Sequence, residues 1–434
     1  MLRSKKQKAI RSLEHIPAEI LAEILKWLPL ISLLQFRTVS KTWKRLIDSP
    51  CFIAFYGVRH PLPRRLILRI DDLYAINEHK FYCYVDDEDH QDRFYQDSIS
   101  SPDILADYQG CPCGVGSSHG LVCFKIPTNY KRHYFHSEMV VLWNLSIRKY
   151  VRIPVPGSRN RDDVIGFGVC PVTFDPTILS IKRKSIKRKW KIEDMPRISL
   201  FWNVLSKRKS NKPKWKTEDR PGISLLWNVR VFTLSTGTWS TLSTNMPRES
   251  IRLKGSQVVI HRFIYWAAFD QLESEDGRSQ SLIVSFDLIA KEFKEINLTG
   301  NLTNPLCSIH SISKLRESLV LLEYHREFEE RLPICCLWMM EEQGVDRSFT
   351  KLYNINVPHA TLKTLLGFTK FGDLLLVTQE QEEGDYAHLK IYYPDTEEIY
   401  DLEDGNDYSF FMWSYTETLL LLDHANGFKY SIRN

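Results

Sequence analysis

Apolar and polar positions follow two different patterns along this chain, and the first pattern occupies residues 15–56. There, apolar side chains recur at three- and four-residue spacing in three short runs, which predicts three amphipathic helices. Pro17 stands where the first turn of a helix tolerates proline, and the first run ends at Pro29. Ser40 is a suitable N-cap for the third run, which Pro50 is expected to end.

The three predicted helices are too short to bury all of their apolar positions among themselves. A segment of about forty residues rarely folds alone without a staple or a partner. Its apolar positions also occupy more than one helix face, so part of that surface must be covered from outside. Spacing alone leaves two alternatives open: a helical cap packed on the rest of this chain, or a docking element for another protein.

The second pattern begins near residue 64, where short aromatic and β-branched runs alternate with turn residues and predict β-strands. Landmark aromatic residues recur at steps of 54, 52 and 54 positions, at Phe232, Phe286, Trp338 and Tyr392. A strand-only repeat near 50 residues is typical of a kelch-like β-propeller. Earlier units at Trp143 and at residues 81–85 bring the expected number of blades to about six. A β-sandwich is the alternative.

The helical segment has a specific order of motifs: proline, an apolar helix, leucine-proline, serine-leucine-leucine, phenylalanine-arginine, lysine-x-tryptophan and serine-proline. This order resembles an F-box, although Ile16 replaces the usual opening leucine, and Thr38 and Ser40 stand where cysteines are common. F-boxes bind the Skp-type adaptor of an SCF ubiquitin ligase and, through it, the cullin scaffold. The resemblance implies adaptor binding by Ile16, Pro17, Ile20, Leu21, Ile24, Leu25, Leu28, Pro29, Leu33, Phe36, Val39, Trp43, Leu46 and Ile47.

Residues 110–402 resemble the F-box-associated domain of plant F-box proteins, a group that includes the S-locus F-box proteins of pollen. The resemblance rests on GSSHGLVCF (116–124), VVLWNLSIRKYVRIP (140–154) and VIGFGVCPVTFDP (164–176). His119 stands where asparagine is usual, and Ser146 displaces a proline.

The expected fold class is therefore α+β and multidomain, with a three-helix F-box before an all-β propeller-like domain. The expected divisions are a basic tail (1–11), the F-box (12–56), the β domain (64–434) and a basic loop insert (180–230).

Charge is concentrated in that insert. Residues 182–230 contain sixteen Lys or Arg and four acids, a net of +12, so the remainder of this +5 chain is 5 − 12 = −7. The insert is a tandem duplication, because residues 182–204 recur as 207–229 with 17 of 23 positions identical. Both copies end in a predicted strand, and only one is needed. The basic clusters indicate a solvated loop, a nuclear localisation signal or, with Trp190 and Trp215, nucleic-acid binding.

Two sequence motifs resemble catalytic or phosphate-binding loops, but each has a structural explanation. Ser118 satisfies G-x-S-x-G, yet a nucleophile elbow needs a following helix and a strand pattern follows here. Gly166 and Gly168 precede no helix, so tight strand packing is expected rather than phosphate binding. We expect no catalytic residue and no cofactor.

The cysteines and histidines do not predict a metal site. Cys111, Cys113 and Cys123, with His119, lack metal-ligand spacing. The adjacent Cys335 and Cys336 should face opposite sides of a sheet.

Compartment and function follow from these patterns. Nine cysteines, an odd number, favour reduced thiols. Reduced thiols indicate a cytoplasmic or nuclear compartment, and the absence of an apolar run of about 18 residues predicts no membrane span. The predicted function is target recognition for an SCF-type ligase, with an unknown target protein bound by the β domain and no catalysis by this chain. The alternative is a nucleic-acid- or chromatin-associated protein acting through residues 182–230.

Overall fold

The computed structural model describes residues 16–56, 65–72, 79–85, 95–106, 112–127, 130–131, 134–135, 138–157, 163–187, 223–243, 246–270, 280–298, 302, 307–325, 334–343, 346–357, 360–380, 387–403 and 408–431. The predicted basic tail (1–11), Cys111, Trp190 and Trp215 lie outside these residues. Across these ranges, no helix is both long enough and apolar enough to cross a membrane.

The amino-terminal segment folds into the predicted helices and one more. They are α1 (Ala18–Leu25), α2 (Leu30–Phe36), α3 (Lys41–Ile47) and α4 (Pro50–Tyr56). Pro17 and Pro29 are the N-cap residues of α1 and α2. The Ser40 hydroxyl accepts a hydrogen bond from the Trp43 amide at 3.1 Å, so the predicted N-cap of α3 is confirmed. Pro50 does more than end α3, because it occupies the first position of α4, where proline fits.

The rest of the described chain is built from strands and one short helix, α5 (Asp103–Ala106). In chain order the strands are β1 (Arg65–Asp72), β2 (His79–Val85), β3 (Tyr95–Ile99), β4 (Cys113–Ser118), β5 (Leu121–Pro127), β6 (Tyr130–Lys131), β7 (Tyr134–Phe135), β8 (Glu138–Asn144), β9 (Lys149–Val155), β10 (Val164–Val169), β11 (Pro176–Lys187), β12 (Ile223–Thr233), β13 (Thr238–Thr241), β14 (Ile251–Ile260), β15 (Phe263–Asp270), β16 (Gln280–Asp287), β17 (Glu292–Ile296), β18 (Cys307–Leu315), β19 (Ser318–His325), β20 (Ile334–Gln343), β21 (Asp346–Ile355), β22 (Ala360–Phe368), β23 (Leu374–Glu380), β24 (Ala387–Tyr393), β25 (Glu398–Glu403), β26 (Tyr408–Tyr415) and β27 (Phe428–Lys429).

These strands form a six-bladed β-propeller, which confirms the predicted fold and excludes the sandwich. Blade 1 is β4-β5-β8-β9, with β27 added in parallel to β9, and blades 2 to 5 are β10–β13, β14–β17, β18–β21 and β22–β25. Blade 6 joins the two ends of the domain, because β26 pairs with β1 and β1 leads into β2 and β3. A closed ring of this kind protects its sheet edges.

Every blade has a buried aromatic residue in its third strand, but Phe81 of blade 6 packs against blade 1, whereas the other five face the preceding blade. All are buried in the third strand counted from the axis, and they are Phe81, Trp143, Phe232, Phe286, Trp338 and Tyr392. In blades 2 and 3 the partner on the fourth strand is also aromatic, as in the pairs Phe232–Trp239 and Phe286–Phe293. The repeat near 50 residues therefore reflects one buried aromatic residue in the third strand of each blade.

The propeller has two distinct faces. Four antiparallel strands return the chain to the face at which each blade began, so every innermost strand begins at the same face. We call this the upper face and the opposite one the lower face. Arg65 at the start of β1 pairs with Tyr415 at the end of β26, so the F-box and the carboxyl-terminal segment both connect at the lower face.

The duplicated insert extends blade 2 on the upper face. Residues 182–187 of the first copy pair with residues 223–228 of the second copy, as continuations of β11 and β12. The predicted loop therefore starts and ends as a strand pair, and residues 188–222 lie outside the described chain. The second copy supplies β12 because it alone continues into Val231 and Phe232, which are buried in the core.

Candidate adaptor-binding surface

Helix α1 has two apolar faces with opposite environments. Leu21 and Leu25 are buried, with 8% and 1% of their surface exposed. Ile20 and Ile24 lie on the other face and are 53% and 51% exposed, followed by Trp27 at 61%. Positions at i, i+4 and i+7 share one helix face, so these three side chains form an outward apolar stripe.

Two more exposed apolar residues follow the stripe. Ile31 lies in the first turn of α2, and Val39 lies between α2 and α3. Val39 was among the predicted adaptor-binding residues, whereas Trp27 and Ile31 were not. Trp27 and Ile31 are neighbours of F-box motif residues in the sequence, but neither is itself a motif position. We call Ile20, Ile24, Trp27, Ile31 and Val39 the outer apolar residues.

The structure divides the fourteen predicted adaptor-binding residues by environment. Pro17, Ile20, Ile24, Pro29 and Val39 are exposed. Those that are fully buried are Leu21, Leu25, Leu33 and Ile47. Those that are partly buried, packed against the same core, are Ile16, Leu28, Phe36, Trp43 and Leu46. The buried members therefore act within the chain, and the exposed members are available to a partner.

The buried face of the F-box belongs to one continuous core with the propeller. Leu25 and Leu33 share this core with Leu142 of β8, Val151 of β9 and Leu420 of the carboxyl-terminal segment. One face of these helices therefore packs on the propeller, as the helical-cap alternative expected. The opposite face, which carries the outer apolar residues, is not covered by the described part of the chain.

The carboxyl-terminal segment, residues 416–431, is held against blade 1 by side-chain hydrogen bonds. The Asn144 side-chain amide donates to the carbonyls of Thr418 at 3.0 Å and Leu420 at 2.6 Å. The Lys149 ammonium donates to the carbonyls of Leu422 and His424 at 2.6 and 2.7 Å. Asn144 is fully buried, so its match to a glycosylation motif has no accessible acceptor.

The F-box helices also have polar ties. The Tyr56 hydroxyl donates to the Leu28 carbonyl at 3.2 Å, and burial, reinforced by the Glu417 carboxylate, raises the pKa of Tyr56. Arg37 pairs with Asp48, with 2.9 Å between Nη2 and Oδ2, and this hydrogen bond raises the Arg37 pKa. The first contact links the connection between α1 and α2 to α4, and the second links the carboxyl-terminal ends of α2 and α3.

Ser118 is the last residue of β4, directly before a β-hairpin turn, and is not part of a nucleophile elbow. Strand β5 follows it at Leu121, as the sequence predicted, and the Ser118 hydroxyl accepts the Val169 amide of blade 2 at 3.1 Å. Gly120 adopts a φ of +75°, and a Cβ there would lie 2.1 Å from the Thr416 carbonyl. The glycine is therefore required by the turn and by the close approach of the carboxyl-terminal segment.

The other chemically suggestive residues have packing roles. A Cβ at Gly166 would meet the Trp266 ring at 2.7 Å, so close strand packing is confirmed there. Cys335 and Cys336 belong to different cores on opposite faces of blade 4, also as predicted. Burial raises the pKa of the Cys123 thiol. Among the described residues, no three His, Cys, Asp or Glu side chains are grouped to hold a metal ion.

The described chain thus consists of a helical segment with an exposed apolar face and a six-bladed propeller. The F-box domain family matches residues 13–55. One F-box protein of Arabidopsis thaliana is 28% identical over 166 residues, 37% of this chain and 37% of that protein. An F-box/kelch-repeat protein of the same plant is 22% identical over 355 residues, 79% of each chain.

By this family match, the chain carries an F-box domain joined to a six-bladed β-propeller. The chain spans about two fifths of the length of the first curated relatives that it matches. Among solved structures, the polysaccharide lyase Uly1 aligns with 65% of this chain and 70% of its own, at a TM-score of 0.39 and 8% identity. A similarity this low carries no argument about fold or activity.

Proposed function

We propose that this chain is the target-recognition subunit of an SCF-type ubiquitin ligase. Its F-box binds a Skp-type adaptor and, through it, a cullin scaffold, while the propeller binds the target protein. The observation that carries the proposal is the outward stripe of Ile20, Ile24 and Trp27 on a helix whose opposite face is already buried. Exposed apolar groups of this kind mark interaction surfaces.

Burial of these side chains supplies the driving force for adaptor binding. Covering one exposed isoleucine stabilises the complex by at most about 1.5–3 kcal/mol. Gains of this kind come from all five outer apolar residues. The direct contacts in this proposal are the outer apolar residues, with Pro17 and Pro29 at the helix starts. Leu21, Leu25, Leu33 and Ile47 act indirectly, because they hold α1, α2 and α3 in position.

The mechanism is proximity, and the chain itself performs no chemistry. The F-box connects at the lower face, and the shared core sets its orientation relative to the propeller. A target held by the propeller is therefore presented to the ligase in a limited range of orientations. This raises the effective concentration of its lysines at the site of ubiquitin transfer.

The test compares two isoleucines in the full chain. Ile24→Asp places a charge in the outward stripe, and Ile289→Asp makes the same change at an exposed turn between β16 and β17. We expect Ile24→Asp to weaken capture by a purified Skp-type adaptor by about tenfold or more, since a charge at a desolvated contact is costly. Ile289→Asp should leave capture unchanged. Equal capture by both variants, with unchanged thermal unfolding, would contradict the proposal.

The nucleic-acid alternative stays a prediction, as does the cytoplasmic or nuclear location. Most of the basic insert lies outside the described residues. Among those that are described, Lys182 donates to the Pro156 carbonyl at 2.7 Å, and the Arg183 guanidinium lies 5.6 Å from the centre of the Trp227 ring. The first contact joins the insert to the connection after blade 1, and the second lies within the strand pair of β11 and β12.

A further inference from the structure

Three successive blades carry a basic side chain at a β-bulge in the innermost strand. Pairing of β14 with β15 is interrupted between Leu253 and Gln257, which frees Lys254 from the ladder. In blade 4 the interruption falls on His310, and in blade 5 on Lys363. Bulges redirect side chains and are frequent beside functional sites. All three lie near the start of their strands and therefore near the upper face.

Contacts between neighbouring blades bring these three residues together. The Lys254 ammonium donates to the carbonyl of Ile309, the residue before His310. The His310 imidazole hydrogen-bonds with the backbone of Lys363, and its ring centre lies 4.7 Å from that of Tyr324. Burial lowers the pKa of His310, and the charges of Lys254 and Lys363 lower it further. The three groups therefore form one arc, in which the two ammonium groups carry the positive charge and the imidazole, uncharged near pH 7, supplies hydrogen bonds.

Residues next to the arc in sequence, Leu253, Ser311 and Thr364, line the central cavity, which has a volume of about 1070 Å³. Arg183 and Arg252 line this cavity, as does Trp227. The Trp227 indole N–H is buried and has no hydrogen-bond partner within the described residues. A donor in this position favours an acceptor group from a ligand.

The acidic groups near the upper end of the cavity are mostly engaged by lysines. Glu138 pairs with Lys125 at 2.8 Å, and Asp163 lies 3.8 Å from the Lys182 ammonium. Glu249, in the connection before β14, is exposed, and its backbone carbonyl accepts from Arg252 at 3.4 Å. Asp270, at the end of β15, pairs with Arg248 at 2.6 Å. Among the described residues that line this end of the cavity, cations therefore predominate.

We infer that the upper mouth, formed by Arg183, Arg252, Lys254, His310 and Lys363, binds an extended acidic segment of the target protein. The inference rests on the proposed function, because it assigns the target to the face opposite the F-box connection. A mouth opening into a cavity admits a single extended chain, and guanidinium groups bind carboxylates in pairs of hydrogen bonds. Clustered charge also accelerates encounter with an acidic partner. Nucleic acid fits less well, since it requires a broad basic footprint.

The test uses the full chain and a fluorescein-labelled peptide of eight glutamates flanked by glycines. Binding is measured by fluorescence anisotropy, with an eight-glutamine peptide as the neutral probe. Arg252→Glu with Lys363→Glu reverses two charges at the mouth. Lys294→Glu makes the same kind of change at an exposed position of β17, on the outer edge of blade 3. We expect the double variant to weaken glutamate-peptide binding by about tenfold or more and Lys294→Glu by less than about twofold.

Each other outcome overturns the inference. These outcomes are no binding of the glutamate peptide, equal binding of the glutamine peptide, or equal loss in the Lys294→Glu control. Displacement of the peptide by a single-stranded RNA that binds more tightly would assign the mouth to nucleic acid instead. Adaptor capture by the double variant separates the two proposals. Capture should be unchanged, and its failure in wild-type protein would contradict the ligase proposal and not the binding of an acidic peptide.

Discussion

The outer face of the F-box and the upper mouth of the propeller, the two proposed binding surfaces, have opposite chemistry. The first is apolar, with Ile20, Ile24 and Trp27 exposed on one helix. The second is basic, with side chains set by bulges in three blades. The free energy of burying apolar side chains depends little on the salt concentration, so the apolar surface suits a partner that stays bound. The basic mouth suits partners that exchange, since charge complementarity mainly sets encounter rate and selectivity.

The largest expected effect comes from comparing the buried and exposed faces of helix α1. Leu25→Asp places a carboxylate in the core shared by the F-box and blade 1, where Leu25 is fully buried. We expect a loss of about 4 kcal/mol or more in the free energy of unfolding. Ile24→Asp should change it by less than about 1 kcal/mol. Chemical denaturation measures both, and similar stabilities for the two variants would contradict the assignment of inner and outer faces.

The next effect concerns the carboxyl-terminal segment. Asn144→Ala removes both hydrogen bonds to the Thr418 and Leu420 carbonyls and leaves these groups buried. We expect destabilisation of about 2–3 kcal/mol, with faster amide hydrogen exchange at residues 418–424. Asn297→Ala is the matched control, because Asn297 also stands in a glycosylation motif but is exposed. Equal exchange in the two variants would show that Asn144 does not hold the segment.

Salt should distinguish the two binding surfaces. Raising sodium chloride from about 0.05 to about 0.5 M should weaken glutamate-peptide binding by about tenfold or more, because the charges lie close to solvent. Adaptor affinity should change by less than about threefold over the same range. Parallel titrations measure both constants. A strong salt dependence of adaptor binding would indicate that charge, rather than the apolar stripe, dominates that surface.

The smallest expected effect is at the ion pair between α2 and α3. Arg37→Ala removes the partner of Asp48, and both side chains are partly exposed. Because solvent screens such pairs, we expect a loss of about 0.5–1 kcal/mol and unchanged adaptor binding. Thermal unfolding measures the first and adaptor capture the second. A loss of capture without a loss of stability would place Arg37 in direct contact with the adaptor.

Sequence periodicity predicted the propeller because each blade repeats a buried aromatic in its third strand, from Phe81 to Tyr392. It also predicted helix starts, since Ser40 and the prolines act locally. It did not predict which face of α1 meets the propeller, because Ile24 and Leu25 are both apolar neighbours and only tertiary packing separates them. Nor did it predict the basic arc, because a bulge at His310 or Lys363 leaves no periodic trace in the residue order.

The central claim is that the outer face of α1 contacts the adaptor. A photo-crosslinking residue placed at position 24 of the full chain tests this directly, with position 289 as the equally solvent-facing control. The account predicts a covalent product with a Skp-type adaptor from position 24 and none from position 289. Absence of product at position 24 while the adaptor remains bound, or equal product from both positions, would contradict it.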